Sequence, residues 1–159
     1  MNGFLHCHTE ESLHDSGMSV KQLVDKAIEA GAESVALTDH GTMTGILEFM
    51  AYVNEVNMKA EKQVINGIPG VEAYVNGRHM VLLARDYEHG YKALIRAVSE
   101  SNEHLKNGMP QMDDDILKKH FGKGSRGHGF VISLSGCVSG VLCKILDTEE
   151  EVSKEIEKI

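Results

Sequence analysis

The 159-residue sequence has no tryptophan, two prolines and only 5% aromatic residues. Its apolar mass is mostly Val, Ile, Leu, Ala and Met, which suits a layered α/β domain and argues against an all-β sandwich. Basic residues are also short: 16 Lys and Arg against 24 Asp and Glu give a formal charge of −8. That balance disfavours a bare nucleic-acid platform, which needs a basic face, although bound cations can reverse the sign inside a pocket. The three cysteines, Cys7, Cys137 and Cys143, form no Cys-x-x-Cys pair. A disulfide framework is therefore not expected and a reducing cytoplasm is. No apolar run approaches the ~20 residues of a membrane span. The N-terminus lacks the basic-then-apolar order of a signal peptide, so none is expected. The length fits one domain, 1–159.

The residues that are present follow a β-α-β-α alternation. A short apolar run at residues 3–8 reads as a strand, and Ser19 through Gln22 forms a capping box. Val20, Leu23, Val24, Ala27 and Ile28 keep helical spacing up to a stop at Gly31. Ser34 to Thr38 is a buried strand leading to Asp39-His40-Gly41, and a second helix carries Ile46, Leu47, Phe49, Met50 and Val53 on its apolar side. Strands at Val71–Val75 and His79–Ala84 flank an Asn76-Gly77 hairpin signal. A helix over Tyr87–Ser101 follows. The polar segment 102–129 carries one short helix near Asp113–His120, and a strand at Gly129–Leu134 ends in Ser135-Gly136-Cys137. Helix signals occupy Val138–Leu146 and Thr148–Ile159.

Potential ligands gather near the strand ends, where loops of parallel α/β folds converge. In a strand over residues 3–8, His6 and His8 point one way and Cys7 the other. Asp15 lies in the loop beyond, Asp39 and His40 follow the second strand, Glu72 and His79 lie on the hairpin, and Cys137 closes the last strand. Imidazole, carboxylate and thiolate are the ligand set of zinc, manganese or iron. A cluster of seven or eight such groups suggests two or three ions. Each residue also has a plainer reading: a surface histidine strand for His6 and His8, a turn or cap for His40, a cross-strand surface residue for His79, and an inert buried thiol for Cys137. Glu72, inside an apolar strand, is harder to set aside, because an unpaired buried carboxylate costs several kcal/mol. Gly122-Lys123-Gly124-Ser125-Arg126-Gly127 lacks the spacing and the strand-to-helix setting of a phosphate loop, and reads as a flexible surface loop.

Taken in order, His6-Cys7-His8-Thr9-Glu10, Ser12, Asp15, Thr38-Asp39-His40-Gly41, Gly70-Val71-Glu72-Ala73-Tyr74 and Leu134-Ser135-Gly136-Cys137 resemble the polymerase and histidinol phosphatase (PHP) domain. His79–Ala84, Gly90–Ile95 and Phe130–Cys137 resemble more narrowly the version at the N-terminus of bacterial DNA polymerase III alpha subunits. The resemblance implies a distorted (βα)7 TIM-like barrel with up to three divalent metals, Zn, Mn or Fe. It implies that His6 and His8 share one ion with Glu72, that Glu72 bridges to a second held by His79 and Cys137, and that Asp15 and His40 serve a third. Asp39 is implied to support these ligands from behind.

The implied activity is phosphoester hydrolysis, on a small phosphoester or on the 3′ end of single-stranded DNA in proofreading. The alternative is a metal-bearing scaffold or docking module without turnover. The family's late Asp-x-His motif has no counterpart, Glu11 stands where an aromatic is usual, and Ser16 is an extra residue. The barrel is therefore expected to be incomplete, lacking its last strands, with a C-terminal polymerase region or an oligomer as its complement, and no polymerase activity in this chain. A module that only binds nucleic acid is disfavoured by the acidic balance.

Overall fold

In a computed structural model, residues 2–12, 15–136 and 140 are described. Cys137 and the two helices expected over 138–159 lie outside that set. The first strand, β1, is short (Gly3–Phe4), and the chain from Leu5 to His8 is not laddered as the sequence suggested. Its place is taken by a side chain: Thr38 Oγ1 accepts from the Cys7 N–H (2.9 Å) and donates to the Cys7 carbonyl (3.0 Å), while the Thr38 N–H donates to the same carbonyl. The run bends at His6 and has no ladder pairing, and Cys7 still turns toward the core.

Helix α1 (Val20–Glu29) has the full capping box, with Ser19 Oγ accepting from the Gln22 N–H and Gln22 Oε1 from the Ser19 N–H. It ends where Gly31 takes φ 72°. There the Ala32 N–H reaches the Ala27 carbonyl and the Gly31 N–H that of Ile28, the paired closure that needs a left-handed residue after the cap. β2 (Ser34–Leu37) pairs in parallel with β1, and α2 (Ile46–Lys59) follows. Ile46, Phe49 and Val53 of α2 are buried, but Leu47 is 74% exposed, so the expected apolar side is narrower than the sequence pattern.

The strand expected at 71–75 is longer. β3 (Asn66–Val75) pairs in parallel with β2 through its first half, then antiparallel with β4 (Arg78–Ala84) through its second. The changeover is at Pro69-Gly70. A Cβ on Gly70 would lie 2.8 Å from Leu83 Cδ2 and 2.9 Å from both the Leu82 carbonyl and Thr38 Cγ2. Asn76 and Gly77 both have positive φ, 49° and 79°, as the hairpin signal requires. The expected helix over 87–101 begins as a wide turn (Tyr87–Tyr91) tied by Asp86, and becomes α3 only over Lys92–Ser101. A second Asn-Gly pair, Asn107-Gly108, turns a small hairpin of β5 (Leu105–Lys106) and β6 (Met109–Pro110) inside the segment that looked irregular. α4 (Asp114–Phe121) starts on Asp113, and β7 (Val131–Leu134) closes the described sheet against β4.

The main sheet has the order β1-β2-β3-β4-β7, with β4 alone antiparallel, and curls as part of a barrel that does not close among the described residues. Its outer face packs Val35, Leu37, Val71 and Leu82 against the helices. Its inner face is set by strand alternation. At one end it carries Ala36, Ile68, Val81, Leu83 and Leu134, bordering an apolar cavity of about 460 Å³. At the other end the same face presents Glu72, Tyr74 and His79. Among the described residues no helix is long and apolar enough to cross a membrane.

Candidate metal centre

Register alone brings half of the site together. Glu72 and Tyr74 are two apart on β3, so they share a face, and His79 on β4 lies directly opposite Tyr74. β2 continues past Leu37: the Glu72 N–H donates to the Asp39 carbonyl and the Gly41 N–H to that of Glu72, forming a bridge between His40 and Glu72. The Thr38–Cys7 bonds then bring His6 and His8 over the same carboxylate.

Glu72 is 1% exposed and is met by four imidazoles. Its Oε2 lies 2.9 Å from His6 Nε2, 3.1 Å from His8 Nε2 and 3.4 Å from His40 Nδ1, and its Oε1 lies 3.0 Å from His79 Nδ1. Burial pushes the carboxyl up, but contacts from His8 and His6 and the nearby His40 outweigh it and hold Glu72 at about 2. His8 is raised by its contact with Glu72, whereas burial lowers His40.

The ligand atoms fall into two groups that could each hold an ion: His6, His8 and Glu72, and His40, Glu72 and His79. In the first, the separations of 2.9–3.1 Å approach the roughly 3.3 Å between neighbouring ligands on a tetrahedral ion with ~2.0–2.1 Å bonds. In the second, His40 Nδ1 is buried with no hydrogen-bond partner, an arrangement that leaves its lone pair for a cation. The donor set, the spacing and the orphaned nitrogen all fit divalent metal. The grouping differs from the one implied by the resemblance, which gave His40 to a third ion with Asp15. His40 serves both directions, because its Nε2 contacts Asp15 Oδ2 while its Nδ1 faces Glu72. Cys137 lies outside the described residues.

Asp39 is 2% exposed and does not enter either group. Its Oδ1 accepts from the Thr9 N–H (2.6 Å) and Ser12 Oγ (2.8 Å), and its Oδ2 accepts from Thr9 Oγ1 (2.8 Å). Ser12 gives its one proton to Asp39, so its oxygen accepts from the His40 N–H (3.1 Å) and from His8 Nδ1 (3.3 Å). This chain keeps the His8 Nδ1–H on Ser12, so that Nε2, toward His6 and Glu72, is the nitrogen left for a cation. Thr9, Ser12 and Thr38 were not singled out as functional, since nothing in their spacing shows that they meet Asp39 or Cys7.

Tyr74 carries no ligand signal in the sequence. Its ring stacks on His40 (5.7 Å, 22°) and meets His79 edge-on (5.0 Å, 84°). It lines a cleft of about 710 Å³ with Asp15, His40, Thr42, Thr44 and Met109 of the small hairpin. His14 is not among the described residues, and His89, His104, His120 and His128 are not in either group.

An open α/β barrel with imidazoles around one shared buried carboxylate at its strand ends defines a candidate divalent-metal domain. The chain belongs to the PHP domain family, which it matches over residues 5–159. The alpha subunit of DNA polymerase III from Chlamydia trachomatis is 32% identical over 168 residues, covering 96% of this chain and 12% of that protein. The same subunit from Treponema pallidum is 33% identical over 157 residues, covering 89% and 12%. The chain thus spans about an eighth of the length of these relatives. An amidohydrolase from Chromobacterium violaceum, solved with sulfate and no metal, superposes with a TM-score of 0.48 at 25% identity, over 65% of this chain and 34% of that one.

Proposed function

We propose that this chain is a multi-metal phosphoesterase domain that hydrolyses phosphoesters, with the 3′ end of single-stranded DNA as its substrate, in the cytoplasm and as part of a replicative assembly. The observation that carries the reading is Glu72, a fully buried carboxylate shared by two groups of metal-ligand atoms. His6, His8 and Glu72 would hold one ion, and Glu72, His40 and His79 a second, with Asp15 and Cys137 as further ligands. Divalent ions there would supply an activated water and polarise a phosphoryl oxygen.

The chain's own residues have separate tasks. Asp39, acting through Ser12, keeps the His8 lone pair on Nε2. Asp15 accepts from His40 Nε2 and so directs the His40 lone pair to Nδ1. Tyr74 offers a ring face beside the ligands against which a nucleobase or sugar can pack. Thr42 and Thr44 line the cleft wall, with Thr42 Oγ1 3.0 Å from Thr44 Oγ1 and Thr44 Oγ1 donating to Glu11 at 2.8 Å. The free thiol of Cys7 accords with a reducing compartment.

The test is elemental analysis of protein purified without added metal, followed by assays on nitrophenyl phosphate and single-stranded DNA with Mn or Zn. About one equivalent or more of bound metal, with hydrolysis lost in His8→Ala, is expected. Bound metal with no turnover on either substrate would make the chain a metal-bearing structural module, and absence of both would refute the reading.

A further inference from the structure

The segment after Asp115 has a charge balance unlike the rest of the chain. From Ile116 to Leu146 the sequence contains no Asp or Glu but carries Lys118, Lys119, Lys123, Arg126 and Lys144, in a protein of net charge −8. The glycine-rich stretch within it reads from sequence as a flexible surface loop, yet the structure ties it down. Ser125 Oγ donates to the His120 carbonyl (2.9 Å), the Ser125 N–H to Gly122 (3.0 Å) and the Phe130 N–H to Gly127 (3.0 Å). Gly122 and Gly127 are pressed against neighbours so closely that a Cβ would sit 2.4 Å from the Lys118 and His120 carbonyls, respectively. The loop is therefore held against α3 and α4, which places Arg126 on the same pocket as Arg96 of α3.

Between them is a pocket of about 200 Å³ lined by Arg96, Lys119, His120, Ser125 and Arg126. Glu100 accepts from both Lys119 Nζ (2.7 Å) and His120 Nε2 (2.8 Å), so one carboxylate balances two of the basic groups. Arg96 and Arg126 make no ion pair among the described residues. Two guanidiniums with no ion pair among the described residues, on one small pocket, can share an anion, and a guanidinium fork matches a phosphate bidentately. The volume suits a phosphate group rather than a whole nucleotide. None of these residues lines the metal cleft.

We propose that this pocket is an anion site for a phosphate group, bound by Arg96 and Arg126 with Lys119, and that it takes a backbone phosphate of single-stranded nucleic acid. The exposed Lys118 and Lys123 extend the positive surface beyond the pocket, which favours a polyanion that can contact several groups over a lone ion. This does not rest on the metal centre.

The experiment is fluorescence anisotropy of a labelled single-stranded oligonucleotide with the full chain in EDTA, across a salt series, so that the metal cleft contributes nothing. The Arg96→Ala/Arg126→Ala double variant is expected to bind at least ~10-fold more weakly. Its log–log salt slope should be shallower by about 0.7, since the site takes one phosphate and each phosphate neutralised on a single strand contributes about 0.7. Arg96→Lys/Arg126→Lys should retain most of the salt dependence. Thermal melting checks that the variants fold, and Lys62→Ala/Lys106→Ala, which lies away from the pocket, should bind as the parent does. A parallel titration follows inorganic phosphate by chemical-shift changes at Arg96, Ser125 and Arg126. Saturable, arginine-dependent phosphate binding without oligonucleotide binding would keep the site and assign it to the free ion. Equal oligonucleotide affinity in parent and double variant with no phosphate response, or an equal loss in the lysine control, would overturn the proposal.

Discussion

Glu72→Gln separates the two jobs of the central carboxylate, and its effect can be worked out for each. Without metal, Glu72 is held at about 2, against ~4.3 for an unfolded glutamate. A depressed carboxyl contributes stability that is present above its unfolded value and is lost as pH falls through its folded value. Because the imidazoles that depress it do so as cations, the full contribution is read at about pH 5.5, below the ordinary imidazole range, and the EDTA melts are made there. A gap of just over two units corresponds to about 3 kcal/mol, in line with the cost of removing one member of a buried charged cluster. At about 2–4 °C per kcal/mol for a domain of this size, the EDTA-treated variant should melt about 6–12 °C below the parent. With metal, the parent at 100 times its Kd gains about 2.7 kcal/mol, a rise of about 5–11 °C. Both ligand groups use Glu72, so its loss should weaken binding at least ~100-fold, beyond what second-layer changes do. At the same metal concentration the variant then gains about 0.4 kcal/mol, or roughly 1 °C. Differential scanning fluorimetry with Mn or Zn, before and after EDTA, reads all four numbers. A variant that melts lower but keeps the full metal-induced rise would refute the shared-ligand geometry.

Asp39→Asn should leave the ligands in place but lose the acceptor that orients Ser12 and His8, lowering metal affinity by about 10–100-fold in a competition titration. Gly70→Ala should cost about 1–3 kcal/mol in urea unfolding, because its Cβ meets Leu83, Thr38 and a strand carbonyl below 3 Å. Thr38→Val leaves the half-buried Cys7 N–H without its acceptor and should cost about 1 kcal/mol while loosening metal binding through His6 and His8. Asp86 accepts from the N–H groups of Gly90 and His89, which hold its carboxyl below the usual range. Its contribution is therefore present above the unfolded aspartate value and lost as pH falls through the lower folded one. Asp86→Ala should melt below the parent at pH 7, and the gap should close as both are taken toward pH 2.

The sequence made the alternation of strands and helices legible because each signal was local. Ser19 and Gln22 cap α1, Gly31 ends it, and Asn76-Gly77 turns the main hairpin. The errors came from pairings that no local pattern encodes. β3 extends back to Asn66 because β2 lies alongside it, and only that neighbour makes 66–69 a strand across Pro69. The run from Leu5 to His8 is shorter as a strand than its alternation suggests, because a side chain of β2's extension takes the ladder's place. The Asn107-Gly108 turn carried the same dipeptide signal as Asn76-Gly77, but its flanks Leu105–Lys106 and Met109–Pro110 are too short to show strand alternation.

The candidate metal centre was legible for a different reason. Ligand chemistry is carried by residue type, so His6, His8, His40, Glu72 and His79 could be named before their distances were known, and all five converge. What sequence could not give was their division between ions, which depends on which nitrogen of each imidazole faces the carboxylate. His40 shows why: one ring places Nε2 on Asp15 and leaves Nδ1 buried beside Glu72 without a partner. A residue assigned to one ion by order in the chain thus stands between two groups in space. The supporting hydroxyls of Thr9, Ser12 and Thr38 are ordinary surface types by composition, and they acquire their roles only because β1 and β2 run parallel and side by side. The parallel pairing of two short strands is therefore what turns a set of scattered ligands into one centre.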